Sequence, residues 1–376
     1  MSYRAAALAA AGAALLGACA PARQAAPAAA PQTDRRFDAV ITYLRSQVDS
    51  AFPGAVIAVG RHDELLLIEA VGHYGVEDNR PVTTATIYDL ASLTKVIGLT
   101  TAAMMLVDSG KLDLDAPVQR YVPAFRGAGK ERVTIRHLLT HSSGLPAWRP
   151  LYSEAATREE ALALVDTTPL LRQPGDTFVY SDLGAITLTQ VVEAISHESL
   201  DQLLEQRLFG PLGMHATRFL PPESWRWGIA PTENDSSFRH RVLRGEVHDE
   251  NAARLGGVSG HAGLFSSAGD LAVFAQWLLR APQMREWTRR QNIPPGSSRA
   301  LGWDTPSQNS SAGTKLSASA FGHTGFTGTS IWIDPEQDLF IILLTNRVNP
   351  TRANTKILQV RRRVADLVVE ALTPPR

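Results

Sequence analysis

The sequence predicts an α/β (α+β) fold: one antiparallel sheet assembled from N- and C-terminal segments, flanked by helices, with a mostly helical lobe inserted in the middle. Three observations carry this expectation. Strand-like runs cluster near the two ends of the folded part, an amphipathic helix stands at each terminus, and helical periodicity dominates between them.

The chain opens with Arg4, an alanine and leucine stretch to Leu16, and small residues at Gly17 and Ala18. Residues 1–18 thus read as a secretory signal peptide, too short for a permanent membrane span. Cys19 is the only cysteine among 376 residues, so no internal disulfide forms. Leu16-Gly17-Ala18-Cys19 resembles a bacterial lipobox, which implies lipidation of Cys19, a membrane anchor and a periplasmic location. Ordinary cleavage near Ala18-Cys19-Ala20 is the alternative and leaves a soluble exported protein. Residues 19–35 are rich in alanine and proline and form a tether with nothing to bury.

The module expected over 36–374 divides into a sheet lobe, about 36–85 and 286–374, and a helical lobe, about 86–285. Phe37, Val40, Ile41, Leu44 and Val48 make one apolar stripe, a helix closed by Pro53-Gly54. "AVIAVGR" and "ELLLIEAVGHYG" follow as a hairpin around His62-Asp63. From Thr84 to about Leu279 the pattern is mostly helical, clearest in "REEALALVD", "DLGAITLTQVVEAIS" and "SLDQLLEQRLF". "GTSIWID" and "DLFIILLTN" return as strands around Pro335-Glu336-Gln337, and "ANTKILQVRRRVADLVVEAL" closes the chain as a helix. The 37 basic and 37 acidic residues cancel, which gives no electrostatic case for nucleic acid as a partner.

One stretch demands a chemical explanation. Between Ser92 and Val107 the sequence is apolar on every side except for Lys95, so the segment reads as a buried helix carrying a single charge. Ser92 lies at its N-terminus, where the helix dipole favours negative charge on a hydroxyl oxygen. Lys95 follows one turn later on the same side. Desolvation would weaken its hold on a proton and let it serve as a base. A helix-capping Ser92 and a snorkelling Lys95 explain the same pair without chemistry.

Other segments favour the chemical reading. "FVYSDLG" supplies Tyr180 and Asp182 before a helix, and "FGHTGFTGTS" supplies His323-Thr324-Gly325 at the start of a late strand. A serine-lysine pair, a tyrosine element and a basic-Thr-Gly strand resemble the signatures of the serine β-lactamase and penicillin-binding protein superfamily. The tyrosine form is similar to the class C β-lactamase-like branch (peptidase S12-like), with its D-Ala-D-Ala carboxypeptidases, D-aminopeptidases and family VIII esterases. "HLLTHSSGLP", "GGVSGHAGLFSSAGDLAVFAQWL" and "HTGFTGTSIWIDPEQDLFIILLTNR" extend the likeness over nearly all of 36–372.

The resemblance implies a β-lactamase/transpeptidase-like fold and an acyl-enzyme on Ser92. It assigns proton transfer to Lys95 and Tyr180 and the oxyanion hole to the backbone N–H groups of Ser92 and Phe326. Substrate binding falls to Asp182, His323, Thr324 and Gly325, with no cofactor and no metal. Gly325 fits a strand that substrate must approach closely. Two positions depart from the pattern. Asp182 stands where asparagine is usual; facing Lys95 it would favour the ammonium, while as a helix N-cap it would be structural. His323 stands where lysine is usual, and with a reference pKa near 6.5 it loses most of its charge at neutral pH, weakening capture of a substrate carboxylate.

The expected activity is therefore that of an exported serine hydrolase acting on cell-wall peptides or β-lactams. A family VIII carboxylesterase, a non-catalytic muropeptide-binding relative and a metallohydrolase are the alternatives. His137 and His141 are four apart but lack the glutamate of a zinc helix. His248, Asp249, Glu250 and His261 gather in a loop expected beside the cleft. Ser259 lacks the second glycine of a nucleophile elbow, and Trp225, Trp227 and Trp303 read as packing residues or cleft walls.

Overall fold

The computed structural model describes residues 35–308 and 310–373; the expected signal peptide, Cys19 and nearly all of the tether lie outside the described residues. Six strands form an antiparallel sheet in the order Asp78–Pro81, Leu65–Gly75, Gly54–Gly60, Leu339–Thr345, Ser330–Asp334, Phe321–Thr324. Its centre joins the two ends of the chain: Ala55 pairs with Thr345 and Gly60 with Phe340.

Strand side chains alternate between faces, and here both faces are covered. Ala55, Ile57 and Val59 join Leu339, Ile341 and Leu343 on the outer side. There they meet Val40, Ile41 and Leu44 of the helix Asp38–Gln47 and Val360, Val364 and Val368 of the helix Ile357–Leu372. Val56, Ala58, Phe340, Ile342 and Leu344 face the interior core. Leu271, Phe274 and Leu278 of the helix Ala268–Arg280 belong to that same core, alongside residues of the central helices. Burial on both sides explains why "GAVIAVG" and "LFIILLT" read as continuous apolar runs.

The middle of the chain is helical, as expected, but not only helical. Ile87–Asp89, Leu264–Ser267 and Arg218–Phe219 form a second, three-stranded sheet within it. Strands of two to four residues are too short for alternation to show in a sequence. A second correction concerns His323-Thr324-Gly325. His323 and Thr324 end the strand Phe321–Thr324 rather than start one, because Gly325 N–H donates to the Thr329 carbonyl at 2.7 Å and turns the chain into Ser330–Asp334.

Candidate active site

The helical run Ala91–Asp108 begins where the strand Ile87–Asp89 ends, which puts Ser92 in its first turn. Ala91 holds a left-handed φ of 47°, a strained conformation for a residue with a Cβ. Buried Asp89 fixes this turn: one carboxylate oxygen accepts the Ala91 N–H at 2.8 Å and the other accepts the His248 N–H at 2.7 Å. Desolvation pushes the Asp89 pKa upward, against those two donors. Thr327 Oγ1 donates to the Asp89 carbonyl and Thr329 Oγ1 to the Leu90 carbonyl, tying the turn to the loop after Phe321–Thr324.

Lys95 opens a π-helical segment, Lys95–Thr100, and is 3 % exposed. Its ammonium has three oxygen neighbours, two that accept hydrogen bonds and one carboxylate that pairs with it by charge. Nζ lies 3.1 Å from Ser92 Oγ, 2.9 Å from the His261 carbonyl oxygen and 2.8 Å from Asp182 Oδ1. Burial works to lower the Lys95 pKa, but Asp182 and Tyr180 outweigh it and hold it above the ordinary lysine value. Lys95 is therefore a cation at neutral pH, which corrects the sequence-based picture of a desolvated, readily neutral amine. Asp182 faces Lys95, and the N-cap of the helix Asp182–Ser196 is instead Ser181, whose hydroxyl accepts the Gly184 N–H.

Tyr180 comes from the segment just before that helix. Its ring lies 5.0 Å from Lys95 Nζ and 4.5 Å from the ring of His141. His141 Nδ1 accepts the Ser181 N–H at 3.1 Å, fixing the backbone beside Tyr180. Burial, with Arg299 and Lys95 nearby, holds His141 neutral. His137 is not its partner: Nδ1 of His137 accepts the Thr134 N–H and completes a capping box.

Ser92, Tyr180, His323, Thr324, Gly325 and Phe326 all line one cleft of about 740 Å³. His323 Nδ1 donates to the Thr324 carbonyl at 2.9 Å. Burial, with Arg299 and Lys95 nearby, keeps the His323 pKa well below the usual histidine value, so its ring carries no charge at neutral pH. Gly325 is required by the protein's own packing rather than by a substrate alone. A Cβ there would stand 2.1 Å from Thr329 Oγ1 and 2.3 Å from the Leu90 carbonyl oxygen.

A positive charge the sequence did not reveal enters the cleft from Arg299. Its guanidinium carbon lies 5.7 Å from the Tyr180 ring centre, and Nε stands 3.8 Å from Asp304 Oδ1. Nε and Nη1 are buried without a hydrogen-bond partner. Arg299 lies in a stretch with no helix or strand period, so only the fold brings it to the site.

A cleft lined by Ser92 and Tyr180, with buried Lys95 against Ser92, accompanies a clear result from comparisons of the whole chain. The family model described as Beta-lactamase matches residues 33–366. This chain belongs to the beta-lactamase family. A relative from Salmonella schwarzengrund (strain CVM19633), named "Putative D-alanyl-D-alanine carboxypeptidase", is 32% identical and covers 84% of this chain and 83% of its own. Among solved structures, a beta-lactamase/D-alanine carboxypeptidase from Yersinia pestis matches with a TM-score of 0.71 at 18% identity, over 91% of this chain and 99% of that one. EstCE1, a hydrolase with promiscuous acyltransferase activity, gives 0.72 at 23% identity, over 89% and 99%. These structural likenesses establish the fold shared with the beta-lactamase family.

The remaining candidates occupy other places in this beta-lactamase-family chain. Trp303 is buried edge-on against Phe321, and Trp225 packs beside Ile87, Ile229 and Phe265. Trp227 is exposed in a separate pocket with Arg80 and Arg244. His248 stacks on Phe326 with ring centres 5.7 Å apart, and Glu250 pairs with Arg352. Ser259, His261 and Asp249 form a hydrogen-bonded chain behind Lys95.

Proposed function

We propose that this chain is an exported serine hydrolase that acylates on Ser92 and acts on small peptides ending in a free carboxylate, in the manner of a D-Ala-D-Ala carboxypeptidase. The observation that carries the reading is Arg299. A guanidinium in a cleft wall, with two N–H groups unpartnered and, among the described residues, its paired carboxylate no nearer than 3.8 Å, is under-compensated. A substrate carboxylate relieves that deficit with charge-assisted hydrogen bonds. Arg347, Arg361 and Arg362 also line the cleft, where Asp304 is the one acidic lining residue among the described residues, so its field favours anions.

In this reading Ser92 Oγ attacks the carbonyl carbon of the penultimate residue, and the developing oxyanion is held by the N–H groups of Ser92 and Phe326. Lys95 is already protonated and donates toward Ser92 Oγ, so the base is Tyr180 in its phenolate form, whose negative charge the Lys95 ammonium offsets and which the serine proton neutralises. Tyr180 returns the proton to the amine as the C–N bond breaks. Arg299 holds the carboxylate of the departing residue, and water then cleaves the acyl-enzyme by the reverse proton path.

The test is substrate selectivity. Arg299→Met should raise KM for a D-Ala-D-Ala peptide and for a penicillin by about 10- to 100-fold, the scale of one charge-assisted hydrogen bond. KM for p-nitrophenyl acetate should stay within a few-fold of wild type. Turnover of the ester alone, with no Arg299 effect on any substrate, refutes the peptidase reading. The uncharged His323 supports the second reading, a carboxylesterase, which that outcome selects. Anchorage through a lipidated Cys19 belongs to the same proposal and is tested by palmitate labelling of wild type against Cys19→Ala.

A further inference from the structure

Ser259 Oγ lies 2.7 Å from His261 Nδ1, and His261 Nε2 lies 2.9 Å from Asp249 Oδ1. This is a serine, a histidine and an aspartate in hydrogen-bonded sequence, but not a second nucleophile. Ser259 and His261 are 2 % and 1 % exposed, and the cavity beside Ser259 is about 10 Å³, too small for any substrate. A carboxylate only accepts, so Nε2–H donates to Asp249, and Nδ1 shares the second hydrogen bond with the Ser259 hydroxyl. The ring is held from both sides in one orientation.

What that orientation controls is the backbone of the same residue. The His261 carbonyl oxygen accepts Lys95 Nζ at 2.9 Å, the third contact of the ammonium beside Ser92 and Asp182. The neighbouring segment is equally fixed: Gly260 N–H donates to Thr189 Oγ1 at 2.9 Å, and a Cβ on Gly260 would meet that oxygen at 2.4 Å. Asp249 in turn caps the helix Glu250–Arg254 through the Ala252 N–H. Both anchors of the ring therefore sit on rigid backbone.

We infer that Asp249, His261 and Ser259 are positioning residues that hold the His261 carbonyl against Lys95 and so fix where its ammonium points at Ser92. This rests on the acylation of Ser92 proposed above. Asp182 alone cannot aim the ammonium, because one carboxylate contact leaves Nζ free to swing about it. With the carbonyl as a fixed hydrogen-bond acceptor and Asp182 paired by charge, another N–H is directed at Ser92 Oγ. Misplacement of a catalytic group by about 1 Å costs on the order of 10²-fold in rate.

The experiment measures burst amplitude, kcat and KM with p-nitrophenyl acetate on the full chain. His261→Phe and Asp249→Asn should each lower kcat about 10- to 100-fold per active site counted by the burst, with KM within about three-fold. His261→Gln, which retains a side-chain donor and acceptor, should recover part of the loss, and Ser259→Ala should give a smaller loss of the same kind. Because rates are normalised to burst amplitude, misfolded protein drops out of the comparison. A Ser92-dependent burst with unchanged kcat in both His261→Phe and Asp249→Asn overturns the positioning role and leaves acylation standing. A loss in His261→Phe that His261→Gln does not recover also overturns it, since packing alone then accounts for the effect. A burst that persists in Ser92→Ala overturns acylation and positioning together.

Discussion

Replacing Asp182 with asparagine separates two roles for Lys95 that the rate of the wild-type protein cannot distinguish. The carboxylate sits 2.8 Å from Nζ, and the two side chains are only 20 % and 4 % exposed. At an effective dielectric constant of about 20, charges at that separation attract by roughly 6 kcal/mol. Without it, desolvation acts on Lys95 with less opposition, and its pKa falls from above the ordinary lysine value. The assay is kcat/KM for p-nitrophenyl acetate from pH 6 to 10.5, expressed as the ratio of variant to wild type, so that any ionisation common to both cancels. If Lys95 works as an ammonium, the ratio falls as pH rises through the new pKa, because the variant loses a proton that the wild type keeps. A ratio that rises through the same region would show that the neutral amine is the active form, and a flat ratio would show that Asp182 does not set its charge. Either result refutes the assignment of the serine proton to Tyr180 beside a cationic Lys95.

Other consequences follow from the same geometry. Ser92→Ala should abolish labelling by a fluorescent fluorophosphonate; labelling at full stoichiometry in the variant rules Ser92 out as nucleophile. Gly325→Ala forces a methyl group to 2.1 Å from Thr329 Oγ1 and 2.3 Å from the Leu90 carbonyl. Overpacking of this kind should cost about 1–3 kcal/mol, read as a lower Tm, together with lost turnover because the same contact ties the cleft strand to the nucleophile turn. Buried His141 and His323 resist protonation, whereas in the unfolded chain they titrate near 6.5. The unfolded state therefore binds more protons below that pH, so stability is fully present above it and declines as the pH falls from 7 to 5. A wild-type Tm that is flat or rising over that descent, or a decline undiminished in His141→Gln and His323→Gln, contradicts their neutral burial. Wild-type activity should also show no loss attributable to His323 between pH 7 and 9, since its ring is already uncharged there.

The chemistry of the segments was legible where it depended on local spacing. An apolar helix interrupted by one lysine, a serine three residues earlier, and a tyrosine ahead of a second helix are patterns within a single element. The two terminal helices and the central strands were equally plain, because burial imposes a period on side chains that a sequence records directly. The roles of Asp182 and His323 were not legible. Whether Asp182 caps its helix or faces Lys95 depends on how Asp182–Ser196 docks against Ala91–Asp108, and Ser181 takes the cap instead. The lost charge at His323 pointed away from anionic substrates until Arg299, 24 positions earlier, was seen in the same cleft wall.

The residues alone were enough for the terminal helices and central strands, the faces these bury, and the serine, lysine and tyrosine that were candidates for one mechanism. Tertiary structure alone decided that Lys95 is charged, that Arg299 supplies the cleft with a cation, and that Asp249, His261 and Ser259 stand behind the lysine. The reason is physical: periodicity reports short-range burial, whereas protonation and field depend on groups whose separation through space has no counterpart in their separation along the chain.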